Sequence, residues 1–449
     1  MVVAKVKKHS AIFLLLAGLI FRLPSGAQEF SSTFGTGLAF LWAAELPDRP
    51  DAAHSLLAEY PAPAAADFTV ADSCSPIVVT RETNELFRVA NYFDFSDARD
   101  CQFSWQLRKF ASPLETNVAF TVVRQGLLDS PIVPPGRIGR LSIHAAAARN
   151  ADALALRVND PAGRELGTWV WPLRRGDFYR LTQEPAEHRA APAETNGIIT
   201  ITAGELVAAF SKDTGRLLSV RRGAQEFSLT NGPRLATGSA ALRQIHYDDD
   251  GPDAFVSAKF NGDLKSIFWR VNGNGWINCD YTYTAAASND FSGVLFDYPE
   301  TLVTRKRWLG DGPYCVWPNR LCGVTLGVWE NDRTHSRAAA RDWMFPEFAG
   351  FFSGVRWLEL DTTEGQITIL NNNAVPFVQV LTPSISMPGQ AGVAAAPVPQ
   401  CGLAFLDAIS PIGGATAAPP PNLPQDESSP APVEYAGSVS FYFGKIPEL

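Results

Sequence analysis

Short apolar alternation, without any helical stripe, is the property that most limits what this chain can become. Cys101, Phe103, Trp105 and Leu107 alternate with Gln102, Ser104 and Gln106. A side-chain period of two puts one set on each face of a strand. Val118, Phe120 and Val122 repeat the pattern, as do Leu154, Leu156 and Val158. With further runs at residues 76–79, 86–89, 141–143 and 169–171, about seven strands fall between residues 75 and 175. That number and spacing fit an immunoglobulin-like β-sandwich.

From residue 197 onward the strands lengthen and hairpins dominate. Residues 207–210 and 216–220 flank a turn in which Gly215 suits the left-handed position. Ile267, Trp269 and Val271 lead through an Asn-Gly-Asn-Gly turn into Ile277, Cys279, Tyr281 and Tyr283, so one face of this hairpin covers a core. Val439, Phe441 and Phe443 alternate with Ser438, Ser440 and Tyr442 in a final strand. Between these regions, residues 176–196 read as a charged, Pro-containing linker. Residues 28–74 are poorly patterned, and residues 413–435, rich in Ala, Pro and Ser, read as a long mobile insertion. An all-β chain of two domains is expected.

Composition bounds the function. The 449 residues suffice for two or three cores, and 46 acidic against 38 basic residues leave a net charge of −8. No basic cluster marks a nucleic-acid partner. Lys5, Lys7 and Lys8, an apolar run over 11–21 and Ser25-Gly26-Ala27 form a secretory pattern with cleavage expected after Ala27. The mature chain is then expected to be secreted or periplasmic, with no membrane association after cleavage; an uncleaved anchor is the competing reading. Six cysteines fit an oxidising compartment, with Cys315–Cys322 and Cys74–Cys101 as candidate bridges and small buried apolar residues as the competing reading. There is no CxxC pair, and Asp248, Asp249, Asp250 and Asp253 lack the spacing of a calcium loop. Neither a metal nor another cofactor is expected.

The most distinctive wording is RWLGDGPYCVWPNRL at residues 307–321, which propensity reads as a stiff aromatic loop between two strands. Gly310, Gly312 and Pro313 supply its unusual backbone angles. Within it, Tyr314, Trp317 and Arg320 are candidates for carbohydrate binding, since sugar C–H faces pack on aromatic rings and hydroxyls need fixed polar partners. The same residues also suit pinning the loop to its own domain. Trp343 and Trp357 read as core or interdomain packing.

This stretch resembles the WxGxGPxxxYPDR loop of the small-chain domain that ends family 2 β-galactosidases. Phe345-Pro346-Glu347 through Gly350, then Gly354-Val355-Arg356-Trp357, is similar to a second motif of that domain. Gly402 through Pro411 is similar to its GxGGDDSWSP segment, and Asn91-Tyr92-Phe93-Asp94-Phe95 before Trp105 to a signature of the family's fourth domain. The resemblance implies an immunoglobulin-like domain followed by a galactose-mutarotase-like supersandwich. It also implies a carbohydrate partner, with Asp407 and Ile409 at the sugar-facing segment, although Ile409 replaces an aromatic platform with a side chain that has no π face. The family's catalytic glutamates sit on an upstream barrel of about 250 residues, and about 70 precede the sandwich here. No catalytic residue is therefore expected, and the chain reads as a carbohydrate-binding or accessory module. One alternative is the small subunit of a split β-galactosidase that works with a separate barrel chain. Another is a mutarotase-like epimerase using His246 and Glu300 as acid and base.

Overall fold

The alternating positions separate into buried and exposed sets in the computed structural model. It describes residues 75–144, 150–186, 188–313, 315–316, 324–332, 351–373, 375–382, 398–410 and 431–447. Phe103, Leu107, Leu154, Leu156 and Val158 share one buried cluster, while Gln102 and Arg157 face solvent. The strands are β1 (Ile77–Arg81), β2 (Leu86–Asn91), β3 (Gln102–Phe110), β4 (Phe120–Leu128), β5 (Ile138–Ser142), β6 (Ala153–Asn159) and β7 (Glu165–Pro172). They pair as β1-β2-β5 and β4-β3-β6-β7, two facing antiparallel sheets of an immunoglobulin-like sandwich. Val118 and Val122 are exposed: Val118 precedes β4, and Val122 lies on β4, an edge strand of its sheet.

The second region holds β8 (Ala190–Thr195), β9 (Ile198–Ala203), β10 (Leu206–Ser211), β11 (Leu217–Arg222), β12 (Gln225–Phe227) and β13 (Thr230–Leu235). These are followed by β14 (Ala240–Asp250), β15 (Asp253–Gly262), β16 (Leu264–Val271), β17 (Trp276–Ala285), β18 (Ser292–Asp297) and β19 (Val303–Gly312). The last are β20 (Thr325–Asp332), β21 (Phe352–Ser353), β22 (Trp357–Thr362), β23 (Gly365–Asn371), β24 (Phe377–Gln379), β25 (Leu403–Ala408) and β26 (Val433–Phe443). A front sheet of nine strands runs β14-β15-β16-β17-β26-β23-β22-β19-β20. A back sheet of ten runs β21-β24-β25-β18-β13-β11-β10-β9-β8, with β12 on β11. Ile267, Trp269, Ile277, Cys279, Val439, Phe441 and Phe443 fill the space between them. The chain is thus all-β, a sandwich followed by a supersandwich.

Three sequence readings change. The end of the supposed linker forms β8, the edge strand of the back sheet, because Ala190 is buried against the large core. Residues 433–435, read as the end of an insertion, belong to β26 and pair with β17. The Gly-rich start of the aromatic loop is the end of β19, and Gly310 and Gly312 are absent from the positive-φ glycines. They are needed for clearance instead. A Cβ on Gly312 would lie 2.2 Å from the Trp329 ring, and one on Gly310 would lie 3.0 Å from Ser353 O. Gly215, by contrast, has φ +67° and closes the β10–β11 hairpin as read.

The two regions meet over half of the front sheet's outer face. Trp276, Leu309, Trp357, Leu370 and Tyr442 cluster there with Phe110 and Ala153 of the sandwich. Trp357 Nε1 donates to Ala111 O at 3.2 Å, and Arg307 donates to the carbonyl of Glu115 across the same boundary. Arg307 Nη1 also donates to Glu359 Oε2 at 2.7 Å, with both side chains buried. Burial pushes the Glu359 carboxyl up more than the guanidinium brings it down.

Candidate functional site

Of the sequence-predicted site residues, Asp407 and Ile409 are among those the structure describes, and they have different surroundings. Tyr314, Trp317 and Arg320 lie outside the described residues, as do Trp343, Cys74 and Cys322. Ile409 is not presented to a ligand. It is buried with Phe291, Leu295, Phe351 and Leu406, on the side of β25 that faces away from the large core. Asp407, still within β25, meets the front sheet: Tyr283 Oη donates to Asp407 Oδ2 at 2.6 Å, whereas Ile409 follows the end of the strand. Burial raises the Asp407 carboxyl, opposed by that hydrogen bond. Tyr283 in turn stacks on Tyr435, with ring centroids 5.2 Å apart. This cluster ties the two sheets together at one end of the supersandwich.

His246 and Glu300 are not assembled as an acid and base. His246 lies on β14, the first strand of the front sheet, and Glu300 immediately precedes β19, the eighth. Seven strand spacings of about 4.8 Å separate them by about 34 Å along the sheet. The aspartates of the β14–β15 hairpin are held by arginines: Asp249 by Arg189, and Asp250 and Asp253 by Arg270 at 2.9 and 3.5 Å. Among the described residues no group of His, Cys, Asp and Glu is placed to hold a metal. Cys101 is a buried free thiol rather than a bridge to Cys74, and burial pushes it up to about 11. An open depression of about 400 Å³ lies between the edges of β4 and β5, lined by Leu127, Asp129, Pro131 and Arg140 among others; no sequence-predicted site residue lines it.

A different surface gathers chemistry. The sandwich covers one side of the front sheet's outer face and leaves the outward side chains of β14 to β16 and of parts of β17 and β26 at least partly exposed. One register row across the open half is His246, Ser257, Phe268, Asp280 and Ser438. The next is Asp248, Phe255, Arg270, Asn278 and Ser440, the last two of which are buried. Phe255 and Phe268 are half-exposed and stacked, with centroids 5.5 Å apart and planes 20° from parallel. The His246 ring stands edge-on to Phe255 at 5.6 Å, and the Arg270 guanidinium lies 5.7 Å from the Phe268 centroid. Hydroxyls surround this stack. Ser266 and Thr282 share a hydrogen bond of 2.7 Å on one side, and Asn372 Nδ2 donates to Ser438 and Ser440 on the other.

Two stacked aromatic rings that keep part of their surface accessible on a largely polar sheet face stand out from the buried aromatics of the core. Sequence reading missed them. The available signal was Phe268, an aromatic on the polar side of the alternating run Ile267, Trp269 and Val271. Phe255 breaks the alternation of β15 in the same way.

No protein-family model and no curated protein matches the chain in sequence. Among solved structures it is similar to galactose 1-epimerase from Lactobacillus acidophilus NCFM. That likeness has 10% identity and a TM-score of 0.32, covering 58% of this chain and 100% of that one. It is also similar to a mutarotase candidate, YeaD, from Salmonella typhimurium, at 12% identity and a TM-score of 0.30, covering 60% and 100%. Scores this low carry no argument about this chain, so the architecture stands on its own strand pairing.

Proposed function

We propose that the chain binds carbohydrate on the open half of its front sheet. One observation carries this reading: the half-exposed Phe255–Phe268 stack is set among serine and threonine hydroxyls, an imidazole and a free carboxylate. An aromatic surface takes the C–H face of a sugar, and the polar side chains around it fix the hydroxyls. The linker is held at the turn between β16 and β17, where Asn272 and Asn274 both donate to Thr182 O.

The reading extends to kinship with the C-terminal half of family 2 β-galactosidases. The motif stretches around Trp308 and Trp357 are supporting observations, since they lie on neighbouring strands in register, Leu309 opposite Trp357. Export of the mature chain belongs to the same proposal and is supported by the basic, apolar and small-residue pattern of residues 1–27.

Titration calorimetry of the purified chain against a panel of neutral oligosaccharides tests the binding site. Saturable binding is expected for at least one, weakened about tenfold or more by Phe268→Ala, a loss of about 1.4 kcal/mol. Absence of binding by the native chain to every member of the panel overturns the proposal, as does full affinity in Phe268→Ala.

A further inference from the structure

The charges around the aromatic stack are unequal in their commitments. Arg270 is engaged by Asp250 and Asp253, and Arg189 by Asp249. Asp248, Asp280 and Glu434 have no basic partner among the described residues, and all three are exposed on this face. Lys259, Arg243 and Lys265 are exposed cations on the strands of the open half, and Lys259 stands on the neighbouring row opposite Ser266. Asp280 is the informative member of the set. It is in direct register with Phe268 on one side and Ser438 on the other, so its backbone lies one strand spacing, about 4.8 Å, from that of each neighbour.

Resting on the carbohydrate reading, we infer that Asp280 sets the specificity of this surface for neutral sugars bearing vicinal hydroxyls, against acidic glycans. An ionised carboxylate is acceptor-only, and its two oxygens take hydrogen bonds from two adjacent hydroxyls as they do from a forked donor. A sugar ring packed on Phe268 brings its neighbouring hydroxyls over Asp280, with Ser438 placed to pair with a third. A uronate or sulfate in the same position brings like charge against Asp280, with Asp248 and Glu434 farther along the face adding to the repulsion. The guanidinium that would otherwise attract it is already neutralised.

The experiment uses matched pairs: β-1,4-linked gluco-, manno- and galacto-pentasaccharides, each beside its C6-oxidised uronate counterpart, titrated into the full chain at low salt. The expected result is a neutral pentasaccharide that binds at least tenfold more tightly than its own uronate. Asp280 is exposed and has no hydrogen-bond or ion-pair partner among the described residues, so Asp280→Asn retains the fold. It should weaken the neutral ligand about tenfold and shrink the neutral-to-uronate ratio. Equal affinity for a neutral sugar and its uronate overturns the inference, as does an Asp280→Asn chain with unchanged affinity and ratio. A cationic glucosamine pentamer binding more tightly than every neutral sugar overturns it too. The carbohydrate reading survives those three results if Phe268→Ala still abolishes binding; it falls together with the inference if no pentasaccharide binds.

Discussion

Tyr283 on the front sheet and Asp407 on the back sheet are joined by a 2.6 Å hydrogen bond, residues 124 apart in sequence and on opposite layers of the supersandwich. The tyrosine is fully buried, and its ring is held flat by Tyr435. Its burial and the adjacent carboxylate both hold the phenol in its protonated, donating form. The residue that sequence resemblance assigns to sugar recognition is therefore a structural tie between sheets.

Tyr283→Phe keeps the ring stack and removes the donor. A hydrogen bond to a charged acceptor contributes about 1.5–3 kcal/mol, and partial solvent access to Asp407 places the expected loss near the lower end. Urea denaturation should show a lower midpoint with an unchanged slope. An unchanged midpoint would mean that the tie contributes nothing.

Asp407 has its folded-state carboxyl raised by burial, so the fold binds its proton more tightly than the unfolded chain does. Its contribution to stability is fully present below the ordinary carboxylate value of 3.8 and is lost as pH rises through the folded value. Asp407→Asn removes that loss while keeping an acceptor for Tyr283. The substitution should raise the melting temperature at pH 7 and leave it unchanged near pH 3. A gain of the same size at both pH values would refute the assignment.

Arg307 and Glu359 form a buried pair at the boundary between the two regions, and the guanidinium lies 4.9 Å from the Trp357 ring. Removing one partner strands a buried charge, so Glu359→Ala should cost about 3–5 kcal/mol. Arg307→Met with Glu359→Leu should recover much of that loss, since two apolar side chains leave no orphaned charge. A double-mutant cycle by chemical denaturation measures the coupling. Additive losses would show that the pair does not act as a unit.

Gly312→Ala places a methyl group where the Trp329 indole lies, with 2.2 Å between them. Trp329 Nε1 donates to Gly310 O and Thr325 O, so the ring cannot withdraw without losing those bonds. Overpacking of this kind costs about 1–3 kcal/mol. Thermal unfolding followed by tryptophan fluorescence should show the loss together with an altered native spectrum, and wild-type behaviour would show that the strand accommodates the methyl group.

The sequence by itself determined the strands and their buried faces. Cys101 to Leu107, Ile277 to Tyr283 and Val439 to Phe443 announce their inward sides, because a period of two ties each side chain to one face whatever its partner. It also determined where the hairpins turn, as at Gly215, because left-handed backbone has a local chemical signature. Only the tertiary structure decided the sites. Asp407 and Ile409 sit two residues apart, which alternation alone would put on one face; β25 ends at Ala408, and the chain beyond it carries Ile409 into a separate apolar cluster while Asp407 meets the front sheet. Trp357 and Phe268 both occupy the outer face of the front sheet. One is covered by the sandwich and the other left open, and that difference depends on where a second domain docks, which no local pattern encodes.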